Sequence, residues 1–130
     1  MEYISAEEFS KQDKEVQKGL LDWWKPSIGD ICAYKMGRNI KEYFLWEKTF
    51  ISCEGDIKGI MYDIPLLTEG QIRQFIEDKT GCKVVLLNNL ALPIEIWLIN
   101  KDGNRRISTG KHNVLQAYWQ VAVQIAKEYN

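Results

Sequence analysis

The residues of this chain best suited to metal or nucleophilic chemistry are three cysteines and one histidine, Cys32, Cys53, Cys82 and His112. Structural zinc draws its ligands as close pairs from one knuckle or turn, whereas each of these residues stands more than twenty positions from the next. Free cysteine also behaves as a small core hydrophobe, so the set reads as reduced, unligated thiols and no metal is expected. A cysteine nucleophile needs a lowered thiol pKa, a base and a third, orienting group. Cys82, directly after Gly81 at the mouth of a predicted strand, is the one placement that permits the idea, with His112 as base. A core cysteine and a surface histidine explain the same residues more simply. The acidic pairs Glu7-Glu8 and Glu77-Asp78 fall on predicted helix surfaces, where solvated charge is the plain reading. Gly55 and Gly59 are too sparse for a phosphate-cradling loop. The sequence therefore assigns no catalytic residue and no cofactor, and the reading inclines away from an enzyme.

Two groups of residues are better suited to binding than to catalysis. Trp23 and Trp24 end a predicted helix, where successive positions lie about 100° apart. One ring is expected in the core and the other as a lid or contact surface, against the plainer reading that both are buried. Lys101, Arg105, Arg106 and Lys111 surround a predicted hairpin at Asp102-Gly103, and residues 81–111 carry a net charge of +3 from five basic and two acidic side chains. Alternation along a strand points Arg105 and Arg106 to opposite faces. Ile107 shares the face of Arg105 and is the core-facing residue, which makes Arg106 the contact candidate and leaves Lys101 and Lys111 as rim charge. The competing reading is an ordinary solvated turn.

These side chains must be positioned by elements legible in the pattern. Ser5 and Glu8 form a capping box with Ile4 and Phe9 as its hydrophobic staple. Phe9, Val16, Leu20, Leu21, Trp23 and Trp24 then recur at helical spacing. A helix is predicted from Ala6 to Lys25, weakened at Gly19, with a candidate break near Asp13 and a stop imposed by Pro26. Strands are predicted at Ile31 to Met36, within residues 40 to 54 as one long or two short pieces, and at Ile57 to Tyr62. A short helix over residues 38 to 46 is the rival for part of that stretch. Thr68 and Gln71 cap a second helix that carries Ile72, Phe75 and Ile76 and stops at Gly81. Lys83 to Leu87 and Ile94 to Asn100 are predicted strands, and Arg105 to Ser108 returns from the hairpin. A last helix from Asn113 to Glu128 has so wide an apolar face that burial on more than one side is expected. This order predicts an α+β fold, an antiparallel or mixed sheet of about five to six strands packed by about three helices.

Composition agrees with one ordinary globular domain over residues 1–130. Of 130 residues 45% are apolar and 27% charged, with only three prolines and nine glycines, which removes the disordered and fibrous classes. A net charge of −1 provides no global attraction to nucleic acid or to an anionic membrane, and no apolar run approaches spanning length. An odd, dispersed cysteine set and an acidic, polar start without a basic and apolar leader make a cytoplasmic chain the expectation.

The stretch from Ile64 to Lys79, together with Ile4 to Phe9, Trp23-Trp24-Lys25-Pro26, Gly29-Asp30 and Leu115 to Trp119, resembles segments of small bacteriophage and prophage proteins of unknown function. These blocks make up about a quarter of the chain. The resemblance implies a viral or prophage origin in a bacterial host and brings no catalytic residue with it. The expectation is an accessory protein that binds a host or phage protein and performs no chemistry of its own, with Lys101, Arg105, Arg106, Lys111, Trp23 and Trp24 as its binding residues. The alternatives are a nucleic-acid-binding module that uses the 101–111 hairpin, and a small-molecule-binding protein or enzyme with an aromatic pocket.

Overall fold

The computed structural model describes residues 2–35, 46–51 and 64–129. Ser5 caps the first helix, α1 (Ala6–Ser10), by accepting the Glu8 N–H at 3.1 Å, and the staple residues Ile4 and Phe9 are both buried. The chain then breaks and restarts as α2 (Lys14–Trp23). The Gln17 side chain reaches back across the break and donates to the Gln12 and Ser10 carbonyls at 2.8 and 3.2 Å, supplying donors to acceptors that a continuous helix would have satisfied. The single helix expected from Ala6 to Lys25 is thus two helices, and the second ends at Trp23. Trp24 is already extended, with ψ at 124°, before Pro26 exerts its restriction.

Among the described residues two antiparallel sheets follow, each of three strands. In the first, β1 (Ile31–Lys35) lies between β2 (Trp46–Phe50) and β3 (Ile64–Pro65). Among the described residues β3 is paired on one side only, an edge position that tolerates the missing N–H of Pro65. Thr68 and Gln71 form a reciprocal capping box that starts α3 (Glu69–Thr80), and Gly81 ends it in the left-handed conformation at φ 68°. The second sheet is the meander β4 (Lys83–Leu87), β5 (Glu95–Asn100) and β6 (Gly103–Ser108). Asn113 then caps α4 (Val114–Glu128) by accepting the Gln116 N–H at 3.0 Å.

The strands predicted as one sheet of five to six are divided between two sheets, and four helices rather than about three stand among the described residues. The division arises where α3 separates β3 from β4: after α3 the chain pairs locally, β4 with β5 and β5 with β6. Of the segment expected as strand over residues 40 to 54, Trp46–Phe50 forms β2. Ile51 follows it outside the strand, while residues 40–45 and 52–54, nearly all of the rival helix over 38 to 46 and the strand expected at Ile57 to Tyr62 lie outside the described residues.

One apolar cluster joins these elements. It takes Phe9 from α1, Val16 and Leu20 from α2, Ile72, Phe75 and Ile76 from α3, and Ile31, Ala33 and Ile64 from the first sheet. Val84, Ile96, Leu98 and Ile107 enter it from the second sheet, and α4 lies at its centre against α2, α3 and β5. Trp24, Cys32 and Ile51 form a smaller cluster beside it. Among the described residues no helix is long and apolar enough to cross a membrane.

Candidate functional site

The helices cover one face of the β4–β5–β6 sheet, the face of Val84, Ile96, Leu98 and Ile107. Register defines the opposite, outer face as three rows across the strands: Lys83, Ile99 and Asn104; Val85, Trp97 and Arg106; Leu87, Glu95 and Ser108. None of the apolar members of these rows belongs to the core cluster formed among the described residues. Val85, Trp97 and Ile99 are half-buried and Leu87 is exposed, and the loop that leaves β4 adds Leu90 and Leu92, at 96% and 59% exposure. The outer face is therefore an apolar strip flanked by charge.

At its centre the Arg106 guanidinium lies 4.7 Å from the centroid of the Trp97 ring and donates to both Glu95 carboxylate oxygens at 3.1 and 3.3 Å. An exposed ion pair and a surface cation–π contact contribute up to about 1 kcal/mol each. The arrangement nevertheless holds a long, flexible side chain flat on the sheet. The Trp97 indole N–H is buried without a hydrogen-bond acceptor, an arrangement that costs about 1–3 kcal/mol.

The structure distributes the four predicted basic residues over different surfaces. Arg106 is on the outer face, while Arg105 points to the helix side and makes two parallel hydrogen bonds to Glu128 of α4 at 2.6 and 2.7 Å. That pairing raises the Arg105 pKa and lowers that of Glu128, each chiefly through the shared hydrogen bonds. Arg105 thus ties the sheet to the end of α4. Lys101 is exposed in the hairpin turn, and Lys111 lines a cleft between α1 and α4.

The indole N–H groups of Trp23 and Trp24 are each held by a carboxylate. The Trp24 N–H donates to Asp30 at 3.0 Å, and the same carboxylate accepts from the Ser27 N–H and from the Gln71 side chain. The Trp23 N–H donates to Asp78 at 2.8 Å, which holds that carboxyl below its ordinary pKa, and its ring meets Phe75 edge-on at 5.4 Å. Trp24 is buried and Trp23 half-buried, and both line a cleft of about 390 Å³.

Among the described residues no hydrogen bond joins either cysteine to His112. Burial, and next the charge of Asp30, push the Cys32 thiol up to about 11. Cys82 accepts a hydrogen bond from the Asn100 amide at 3.4 Å, and His112 is exposed ahead of α4. Among the described residues no three His, Cys, Asp or Glu side chains converge as metal ligands. No family model, curated protein or solved structure matches the chain.

The outer-face residues Val85, Leu87, Glu95, Trp97 and Ile99, with Leu90 and Leu92, were not among the binding residues predicted from sequence. Their signal was present. Val84, Val85 and Leu86, like Ile96 to Ile99, are apolar at consecutive positions, so both faces of those strands are apolar, and two leucines interrupt an otherwise polar loop.

Proposed function

We propose that the chain is a non-catalytic protein-binding module, an accessory protein of a phage or prophage acting in the cytoplasm of a bacterial host, and that it binds through the outer face of the β4–β5–β6 sheet. One observation carries the reading: Trp97, with Arg106 laid across it, sits amid Val85, Leu87 and Ile99 on a sheet face outside the core and next to two exposed leucines. Tryptophan and arginine are the residue types that dominate interface energies, and contiguous exposed apolar surface marks partner sites.

Charge selects the partner's chemistry. Lys83 and Arg106 share the face with a single carboxylate, Glu95, and Lys101 stands in the adjoining turn, so the surface suits an apolar segment that carries acidic residues. A phosphate backbone is served less well. Arg105 and Arg106 each already face a carboxylate, and they do so on opposite sides of the strand.

Peptide display tests this directly. Random peptides selected on the wild-type chain and counter-selected on a Leu90→Asp/Leu92→Asp variant are expected to combine Asp or Glu with Leu, Phe or Trp. Synthetic copies are expected to lose affinity as salt rises and to bind Arg106→Gln about tenfold more weakly, with the thermal midpoint nearly unchanged. Glutamine is chosen because a second acid beside Glu95 would add repulsion. Failure to enrich any such class, or equal binding to both variants, would overturn the proposal. Salt-dependent binding of a single-stranded oligonucleotide that Arg106→Gln abolishes would replace it with the nucleic-acid reading.

A further inference from the structure

A cleft between α1 and α4 lies away from the outer sheet face. It encloses about 540 Å³, within the range of small-molecule sites, and its walls include Lys11, Lys111, Gln120, Trp119 and Val123. Trp119 and Val123 provide an apolar floor. Trp119 is only 5% exposed, and its ring is stacked on Phe9 at 6.4 Å with 30° between planes, so packing fixes its orientation.

The indole N–H of Trp119 is the informative atom. Those of Trp23 and Trp24 are taken by Asp78 and Asp30, and that of Trp97 is sealed from solvent. The Trp119 N–H has no acceptor among the described residues, yet it is not among the sealed, unpartnered groups. It is therefore a donor left open in a residue otherwise buried, and that residue lines the cleft. Lys11 and Lys111 line the same cleft, and neither makes an ion pair among the described residues. Lys111 is held at its backbone, where its N–H donates to Thr109 at 3.1 Å and its carbonyl accepts from Ile94 at 2.7 Å. Glu8 is the one acid in the wall, and one of its oxygens accepts from the Gln116 amide at 3.2 Å. Two cations and one anion leave the cleft positive, within a chain whose formal charge is −1.

We infer that this cleft binds a small planar organic anion: a flat ring over Trp119 and Val123, with its carboxylate or phosphate accepting from the Trp119 N–H and the two lysines. An anion satisfies the free donor and the unpaired cations together, whereas a neutral or cationic ligand leaves them uncompensated.

Calorimetric titration of the full chain with adenosine monophosphate and with indole-3-acetate tests the inference and separates the two anion types. Saturable binding with a dissociation constant at or below about 1 mM is expected for at least one of them, and the tighter names the anionic group. Inorganic phosphate, which lacks the ring, is expected to bind about tenfold more weakly or not at all. Lys11→Glu/Lys111→Glu, at two exposed positions, is expected to weaken binding at least about tenfold with little change in thermal midpoint. Trp119→Phe keeps the ring and removes the donor, so it should weaken binding several-fold; should that variant not fold, the lysine variant alone decides. Saturation by neither planar anion, or binding undiminished in the lysine variant, would overturn the site.

Discussion

At the scale of single residues, carboxylates that accept from indole N–H groups tie neighbouring elements of this molecule together. Asp30 gathers an indole, a backbone amide and a glutamine amide and so ties the end of α2, the following turn and α3 to one carboxylate. Cys32, beside this anchor, makes the residue-scale prediction. Its thiol is fully buried and its pKa stands at about 11 against an ordinary 9.0. Above the ordinary value the unfolded chain loses the proton first, so it binds fewer protons than the folded chain and stability falls as pH rises. The contribution is complete below pH 9 and is lost towards pH 11, to an extent of about 2–3 kcal/mol. Urea midpoints are therefore expected to fall more steeply through this window in the wild type than in Cys32→Ala. Parallel curves would mean that the thiol ionises equally well in both states.

At the scale of elements, caps and stops set the helices and close approach sets their packing. Asn113, Ser5 and the Thr68–Gln71 box supply side-chain partners to helix starts. Gly19 lies in the interior of α2 where it crosses α4, and a methyl group added there would meet the Ala126 Cβ at 3.7 Å, an ordinary contact. Its glycine is therefore not required by space. Replacement removes the helix-interior penalty, so Gly19→Ala is expected to stabilise the protein by about 0.5–1 kcal/mol, read as a raised urea midpoint with unchanged slope. A destabilised variant would mean that α2 and α4 pack closer than this geometry.

For the whole molecule, α4 is the element on which the rest depends. Leu115, Ala117, Tyr118, Trp119, Val121, Ala122, Ile125 and Ala126 are all buried, and the helix meets α2, α3 and β5 at once. Each large side chain contributes roughly 1.5–3 kcal/mol of burial, against a total stability of only about 5–15 kcal/mol for a typical domain. A chain ending before Asn113 is expected to lose its cooperative thermal transition by circular dichroism. Retention of that transition would identify α4 as an appendage.

What the sequence by itself determined is local: the helix starts at Ser5, Thr68 and Asn113, the stop at Gly81, a hairpin after Asn100 whose turn falls on Lys101-Asp102, one residue before the expected Asp102-Gly103, and the opposed directions of Arg105 and Arg106. Each depends on backbone bonds or side-chain directions within a few residues, so residue type and spacing suffice. Tertiary structure decided the rest. Two partitions of the strands satisfy the same alternation, and only long-range pairing separated β1–β3 from β4–β6. Where strands are apolar on both sides, as at Ile96 to Ile99, periodicity cannot say which face the helices cover. Packing made that choice and left Trp97 outside. The basic cluster looked continuous because its residues are close in sequence. Its partners are not: Glu128 lies 23 positions from Arg105, and Glu8 lies 108 from Gln116 in the cleft that Lys111 joins. Contacts at such separations form only when the whole core closes.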